Sequence, residues 1–198
     1  MICFDEKSLQ LLADPAQYPG RTVRPKHPRR QDYEYVRHGT HNIFLWVEPK
    51  VGYRHTLVTL RRTKDDFAKA MRYLVDVMYP APRVERIDLV MDNLNTHTTD
   101  TLIEIFGKPE ADRILSRVAF HYTPLHASWT NIAEIEFSAM TSQCLDRRIP
   151  DEWTLATELV AWELRRNQTA QPIRWSFTWK RARRLFIDQE PNASAIST

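Results

Sequence analysis

Residues 87–98 read "IDLVMDNLNTHT": a short apolar run closes on Asp92, and the six positions after it hold Asn, Thr and His with one Leu among them. A strand of that composition is a buried one, and a carboxylate beside it loses solvation unless a counter-charge, a hydrogen bond or a metal ion offsets the loss. Near the start of the chain Asp5 follows "ICF" (2–4) in the same way. If the two strands are neighbours in one sheet, both carboxylates converge on a crevice beside it, where a hard divalent cation would accept their oxygens. The plainer alternative is that each Asp caps a turn.

Working outward from 87–98, residues 2–12 alternate as a strand does, with Ile2 and Phe4 on one parity and Cys3 and Asp5 on the other. "DPAQYPGRTVRPKHPRR" (14–30) carries four prolines and a glycine and predicts a long surface loop. "YEYVRHGTHNIFLWVEP" (33–49) and "GYRHTLVTL" (52–60) are aromatic and β-branched, interrupted at Gly39 and at "PKVG" (49–52), so an antiparallel meander is expected. "TKDDFAKAMRYLVDVMY" (63–79) has Thr63 as an N-cap, acids in the first turn, and Phe67, Met71, Leu74, Val75 and Met78 at helical spacing. After the 87–98 strand come a helix ended by Gly107, a second opening on Pro109, and a strand over "VAFHYTP" (118–124). Helices are expected at 130–146, 151–166 and 176–187, followed by a weakly ordered tail, 188–198. Three strands and then alternating helices and strands describe an α/β domain on a mixed central sheet, an order compatible with a ribonuclease-H-like architecture.

The bulk properties agree with one folded domain. The chain has 198 residues, 42% hydrophobic and 27% charged, which excludes global disorder. Its net charge is only +3, but basic residues cluster in "RTVRPKHPRR" (21–30), "LRRTK" (60–64) and "WKRARR" (179–184). Such runs, with Arg29, Arg30, Lys180 and Arg181 among them, serve polyanions or form solvated faces. Two cysteines without CxxC spacing exclude a disulfide framework and a zinc ribbon, and are read as buried thiols in a reducing compartment. No run approaches a membrane span and no signal peptide is visible, so a cytoplasmic location is expected. Four glycines supply no phosphate-cradling loop, which excludes nucleotide and dinucleotide cofactors.

Metal-assisted phosphate chemistry needs a third acid, and "SWTNIAEIEFSAM" (128–140) offers Glu134 and Glu136. At about 100° per residue they lie about 200° apart on a helix, so only one can face the site while the other turns sideways or into a salt bridge. Asn131 followed by Glu134 also fits a capping box. His97, His121 and His126 match no zinc spacing and are read as supporters of the acids or as phosphate contacts. Ser128 beside His126 does not make a nucleophile pair.

Taken together, "DEKSLQLL" (5–12), "RRQDYEYVRHGTHNIFLWVEP" (29–49), "MDNLNTHT" (91–98) and "FHYTPLHASWTNIAEIEFS" (120–138) resemble the catalytic domain of DDE-superfamily transposases, in particular bacterial insertion-sequence enzymes related to mariner elements. The resemblance implies a ribonuclease-H-like catalytic domain over 1–187. It also implies a triad of Asp5, Asp92 and Glu134, the last by matching "NIAE" to the family's Asn-x-x-Glu motif. The interval from Asp92 to Glu134 is longer than in mariner relatives, with the insertion "FGKPEADRILSR" (106–117) accounting for the excess, and Thr130 stands where relatives often carry Leu. It further implies two Mg²⁺ ions, replaceable by Mn²⁺, and cleavage and transfer of DNA strands at transposon ends and target by a homodimer. Asn93, Asn95, His97, His126 and Asn131 become supporting or DNA-contact residues. The basic runs become DNA surfaces, with Trp129 and Trp179 as further contacts or core residues. The helix-turn-helix modules that precede this domain in relatives are not expected here, so the alternative is a remnant that binds DNA without productive catalysis.

Overall fold

Strands β1 (Ile2–Ala13), β2 (Val36–Glu48) and β3 (Tyr53–Thr59) form the expected antiparallel meander. Strand β4 (Ile87–Met91) pairs parallel with β1 on its other side, and β5 (Val118–Tyr122) pairs parallel with β4. The sheet order is therefore β3-β2-β1-β4-β5. These observations come from a computed structural model, which describes residues 1–17, 33–123 and 131–174. Most of the 14–30 loop, the helix expected at 176–187 and the 188–198 tail lie outside the described residues.

Gly39 was expected to break the second strand, but β2 runs through it. Gln10 pairs with Thr40 and Leu12 with Arg37, so His38 and Gly39 together oppose Leu11 alone. This is a β-bulge, and Gly39 sits in it at φ 86°, a backbone conformation that only glycine adopts without strain. The glycine therefore bends the strand instead of ending it.

Helices cover both faces of the sheet. On one face lie α1 (Lys64–Tyr73), α2 (Thr99–Phe106) and α3 (Lys108–Leu115); on the other lie α4 (Ile132–Met140) and α5 (Glu152–Gln168). Thr63 caps α1 as its sequence predicts, in a reciprocal box with Asp66 that the structure adds, and Leu74–Met78 then continue as a wider π-type turn. The strand period separates two cores. Phe4, Phe44, Trp46, Leu89 and Met91 pack with Phe67, Met71 and Leu74 of the first face. Cys3, Ile43, Leu45 and Val47 pack with Phe137, Met140, Leu155 and Trp162 of the second. A central strand covered on both sides reads as a continuous apolar run, which is why Ile43–Val47 shows no alternation.

The edge strand β3 is closed by side chains of α5. Asn167 accepts from the Arg54 backbone N–H at 2.9 Å and donates to the Arg54 carbonyl at 2.7 Å, and Glu163 accepts from the Thr56 N–H at 2.9 Å. Outward-facing backbone groups at alternate residues are thus satisfied, which protects the edge from pairing with another chain. Both thiols are free and buried, and burial raises their pKa, Cys144 to about 11, so neither is reactive at neutral pH. Among the described residues no helix is long and apolar enough to cross a membrane.

Candidate active site

The chain leaves β1 toward β2 on one side and leaves β4 toward β5 on the other, so the crevice between β1 and β4 is the switch point of the sheet. Ile2 pairs with Leu89 and Cys3 with Val90; two residues further on, the same register sets Asp5 beside Asp92. Cys3, Asp5 and Val90 share the strand face that looks toward α4, and Asp92, one residue past the end of β4, turns its Oδ1 to His97. Asp5 and Asp92 are brought together by parallel pairing across a sequence separation that spans two other strands and a helix.

Asp5 is only 8% exposed and its Oδ1 accepts the Glu6 backbone N–H at 2.8 Å. Burial first, and then the negative charges of Asp92 and Glu134, push its pKa up to about 7, against that hydrogen bond and the charge of His97. Asp5 therefore feels the charges of both other acids of the sequence reading. Asp92 is held from below: Nδ1 of His97 lies 2.7 Å from Asp92 Oδ1, on a ring that is completely buried. The ring stacks on Phe67, with centroids 4.7 Å apart, and meets Phe4 edge-on, while Tyr122 donates from its hydroxyl to the His97 carbonyl. Its Nε2 stands 3.6 Å from Glu6 Oε2, an ion-pair distance beyond hydrogen-bond length. Burial works against charge on His97, but the hydrogen bond to Asp92 and the carboxylates of Asp92 and Glu6 outweigh it and lift its pKa to about 9. Of the roles expected for His97, its burial leaves that of orienting Asp92 and removes direct contact with DNA.

Helix α4 brings the third acid. Asn131, completely buried, accepts from Ala133 N–H as the N-cap and donates from Nδ2 to the Phe4 carbonyl at 2.8 Å. One amide thus starts the helix and ties its first turn to β1 at the residue before Asp5. The capping box expected between Asn131 and Glu134 does not form; among the described residues the Glu134 carboxylate accepts no hydrogen bond. Glu136 has the other fate foreseen for this pair. It is 5% exposed and receives Arg54 Nε and Nη2 at 2.7 and 2.8 Å, with Arg166 at 3.1 Å. Burial alone would raise the Glu136 pKa, but the two guanidiniums lower it below its ordinary value. Pinned in this way, Glu136 sets the rotation of α4 and hence the direction of Glu134.

Other expected contact residues are distributed more widely. Asn93 and Asn95 are exposed in the turn after β4. His121 lies on β5 opposite Val90, but its Nε2 reaches back to Asp88 at 3.0 Å, toward the start of β4 and away from Asp92. His126, Arg29, Arg30, Lys180, Arg181, Ser128, Trp129 and Trp179 lie outside the described residues. Two residues were missed by sequence reasoning. Glu6 ion-pairs with both His97 and Arg62, and Lys7, on the face of Asp5, donates to Thr141 Oγ1 at 2.7 Å. The signal for both was strand parity: Glu6 must face away from Asp5, toward the side where His97 is buried, and Lys7 must face with it.

As a donor set, three carboxylates suit a hard divalent cation, and an acid as desolvated as Asp5 is one whose charge such a cation would compensate. Among the described residues no three His, Cys, Asp or Glu side chains already stand at a common ligand distance, so the acids would have to close on the ion by side-chain rotation.

A family model described as DDE superfamily endonuclease matches residues 1–156. No curated protein matches the chain. Among solved structures, the crystal structure of the Mos1 mariner paired-end complex with Mn is 16% identical, with a TM-score of 0.52 over 83% of this chain and 48% of that one. The Mos1 transposase paired-end complex with left transposon end is 13% identical, with a TM-score of 0.56 over 82% and 47%. The likeness is one of fold, the ribonuclease-H-like sheet with its flanking helices, and the chain spans about half the length of these structures.

Proposed function

The chain belongs to the DDE superfamily endonuclease family, and from that membership we propose that it is the catalytic domain of a DNA transposase, cutting and joining phosphodiesters with Asp5, Asp92 and Glu134. The observation that carries the reading is the parallel register of β1 and β4, which brings the end of β4 that carries Asp92 alongside Asp5, with the helix that bears Glu134 covering the Asp5 face.

In this reading Asp5, Asp92 and Glu134 hold two divalent cations, Mg²⁺ or Mn²⁺. Bound there, the cations would supply positive charge to the scissile phosphate and its leaving oxygen and would make an attacking water or 3′-hydroxyl easier to deprotonate. The chain's own residues supply rigidity. His97 fixes one oxygen of Asp92, and no described residue takes the other. Asn131 ties the first turn of α4 to β1, and Glu136 with Arg54 prevents α4 from turning about its axis. The dry wall made by Phe4, Phe67 and the buried His97 ring lowers the local dielectric, so each charge in the crevice acts more strongly on the phosphate than it would in water. The substrate is DNA, at transposon ends and target, and joining two ends calls for two copies of the site; the paired-end complexes of the Mos1 structures support that assembly.

The test is nicking of a labelled duplex with Mg²⁺ or Mn²⁺, comparing the chain with Asp92→Asn under identical salt. Metal-dependent nicking that the substitution abolishes, with an unchanged melting temperature, is the expected result. A folded chain that binds the duplex and never nicks it overturns the catalytic reading in favour of a DNA-binding remnant of the same fold.

A further inference from the structure

On the face of β1 opposite Asp5, a cavity of about 550 Å³ opens between β1, β2 and the segment leading into α1. Its wall includes Ser8, Thr40, His41, Asn42, Arg61 and Arg62. Asn42 is 2% exposed, and both its amide nitrogen and its amide oxygen are buried with no hydrogen-bond partner. An unpaired buried amide is costly, and a sheet position flanked by Ile43 and Phe44 would be filled more favourably by an apolar residue. Arg61 is exposed and no described carboxylate pairs with it, while the largely exposed Arg62 reaches Glu6 at 3.6 Å. Two exposed arginines at the wall of a cavity that also holds an unpaired amide and two hydroxyl residues form a donor-rich recess suited to an oxyanion. Glu6 is also the residue 3.6 Å from His97, so the recess connects by charged contacts to the group that orients Asp92.

We propose that this recess binds a phosphodiester of DNA, through Arg61 and Arg62 with Asn42 donating from its base. The site rests on the DNA substrate proposed above and adds a specific place where the backbone is gripped away from the acids. Contacts of this kind fix the register of the strand without reading its sequence.

The experiment is fluorescence anisotropy of a short labelled duplex in EDTA, which separates binding from cleavage, with Asn42→Leu and the double variant Arg61→Ala/Arg62→Ala. The double variant binds about tenfold or more weakly at about 0.1 M salt, with a salt slope reduced by about one to two. Asn42→Leu melts at a higher temperature than the parent and yet binds more weakly, a combination that a purely structural asparagine would not produce. Should Asn42→Leu fail to fold, the arginine pair carries the test alone. Duplex binding that both variants retain at parental affinity and slope overturns the site while leaving the DNA reading intact. A parent chain that binds no duplex overturns both, even if inorganic phosphate raises its melting temperature, since the recess then takes a free phosphate.

Discussion

His97 shows how much of the crevice between β1 and β4 can rest on a residue that never reaches the surface. It is buried against Phe67 and Phe4, holds Asp92 by one nitrogen and faces Glu6 with the other. Supporting groups of this type are worth about 10–100-fold in metal affinity or activity, and His97→Ala is expected to reduce nicking by that order. A Mg²⁺ titration checks it: the loss should appear as a higher metal requirement, while Asp92→Asn shows none that metal can recover. Asn131 is the second such residue. Asn131→Ala removes an N-cap worth about 1 kcal/mol and leaves the buried Phe4 carbonyl unpaired at a further 1–3 kcal/mol or so. Urea unfolding should give a combined loss of about 2–4 kcal/mol by those two contributions. Asn131→Asp keeps the cap but loses the donor to Phe4, so it separates the two contributions.

At the scale of elements, the Arg54–Glu136–Arg166 cluster joins β3, α4 and α5. Removing one partner of a buried pair leaves the other uncompensated, at a cost of about 3–5 kcal/mol, and Glu136→Gln should destabilise the chain by that order in denaturant. The pH dependence follows from the sign of the shift. Glu136 titrates below the ordinary 4.5 in the folded chain, so its contribution is complete above about that pH and is lost as pH falls through the lower folded value. Acid titrations monitored by circular dichroism should therefore show the parent losing stability below about pH 4.5, with that component missing in Glu136→Gln. Helix periodicity had already put Glu134 and Glu136 on different sides of α4. Which of them faces the acids is decided by Arg54 on β3 and Arg166 on α5, residues that no local pattern links to α4.

For the whole molecule, a buried Asp5 that feels the charges of Asp92 and Glu134 leads to the prediction that folding and cation binding are coupled at the proposed site. A ligand that binds only the folded state stabilises it by about 2.7 kcal/mol at a hundred times its dissociation constant. At about 2–4 °C per kcal/mol for a chain of this size, saturating Mg²⁺ should raise the melting temperature by several degrees over EDTA. The rise should vanish in Asp5→Asn, which in EDTA should itself melt no lower than the parent, because it removes a desolvated like charge. Differential scanning fluorimetry with and without Mg²⁺ checks both.

The amino-acid sequence by itself determined the elements and their order: the capped α1, the Gly107 and Pro109 boundaries, the meander and the positions of Asp5 and Asp92 beside their strands follow from local chemistry. Local chemistry acts over a few residues, and so it misread Gly39 as a break and left open a capping box between Asn131 and Glu134 that does not form. Only the tertiary structure decided that β4 pairs with β1 in the register that sets Asp92 beside Asp5, that Glu136 is spent on Arg54, and that His97 is buried beneath the site instead of facing a substrate. These outcomes depend on strand pairing and burial across long stretches of chain, where the energy lies in desolvation and packing shared among elements, and no single segment carries that information.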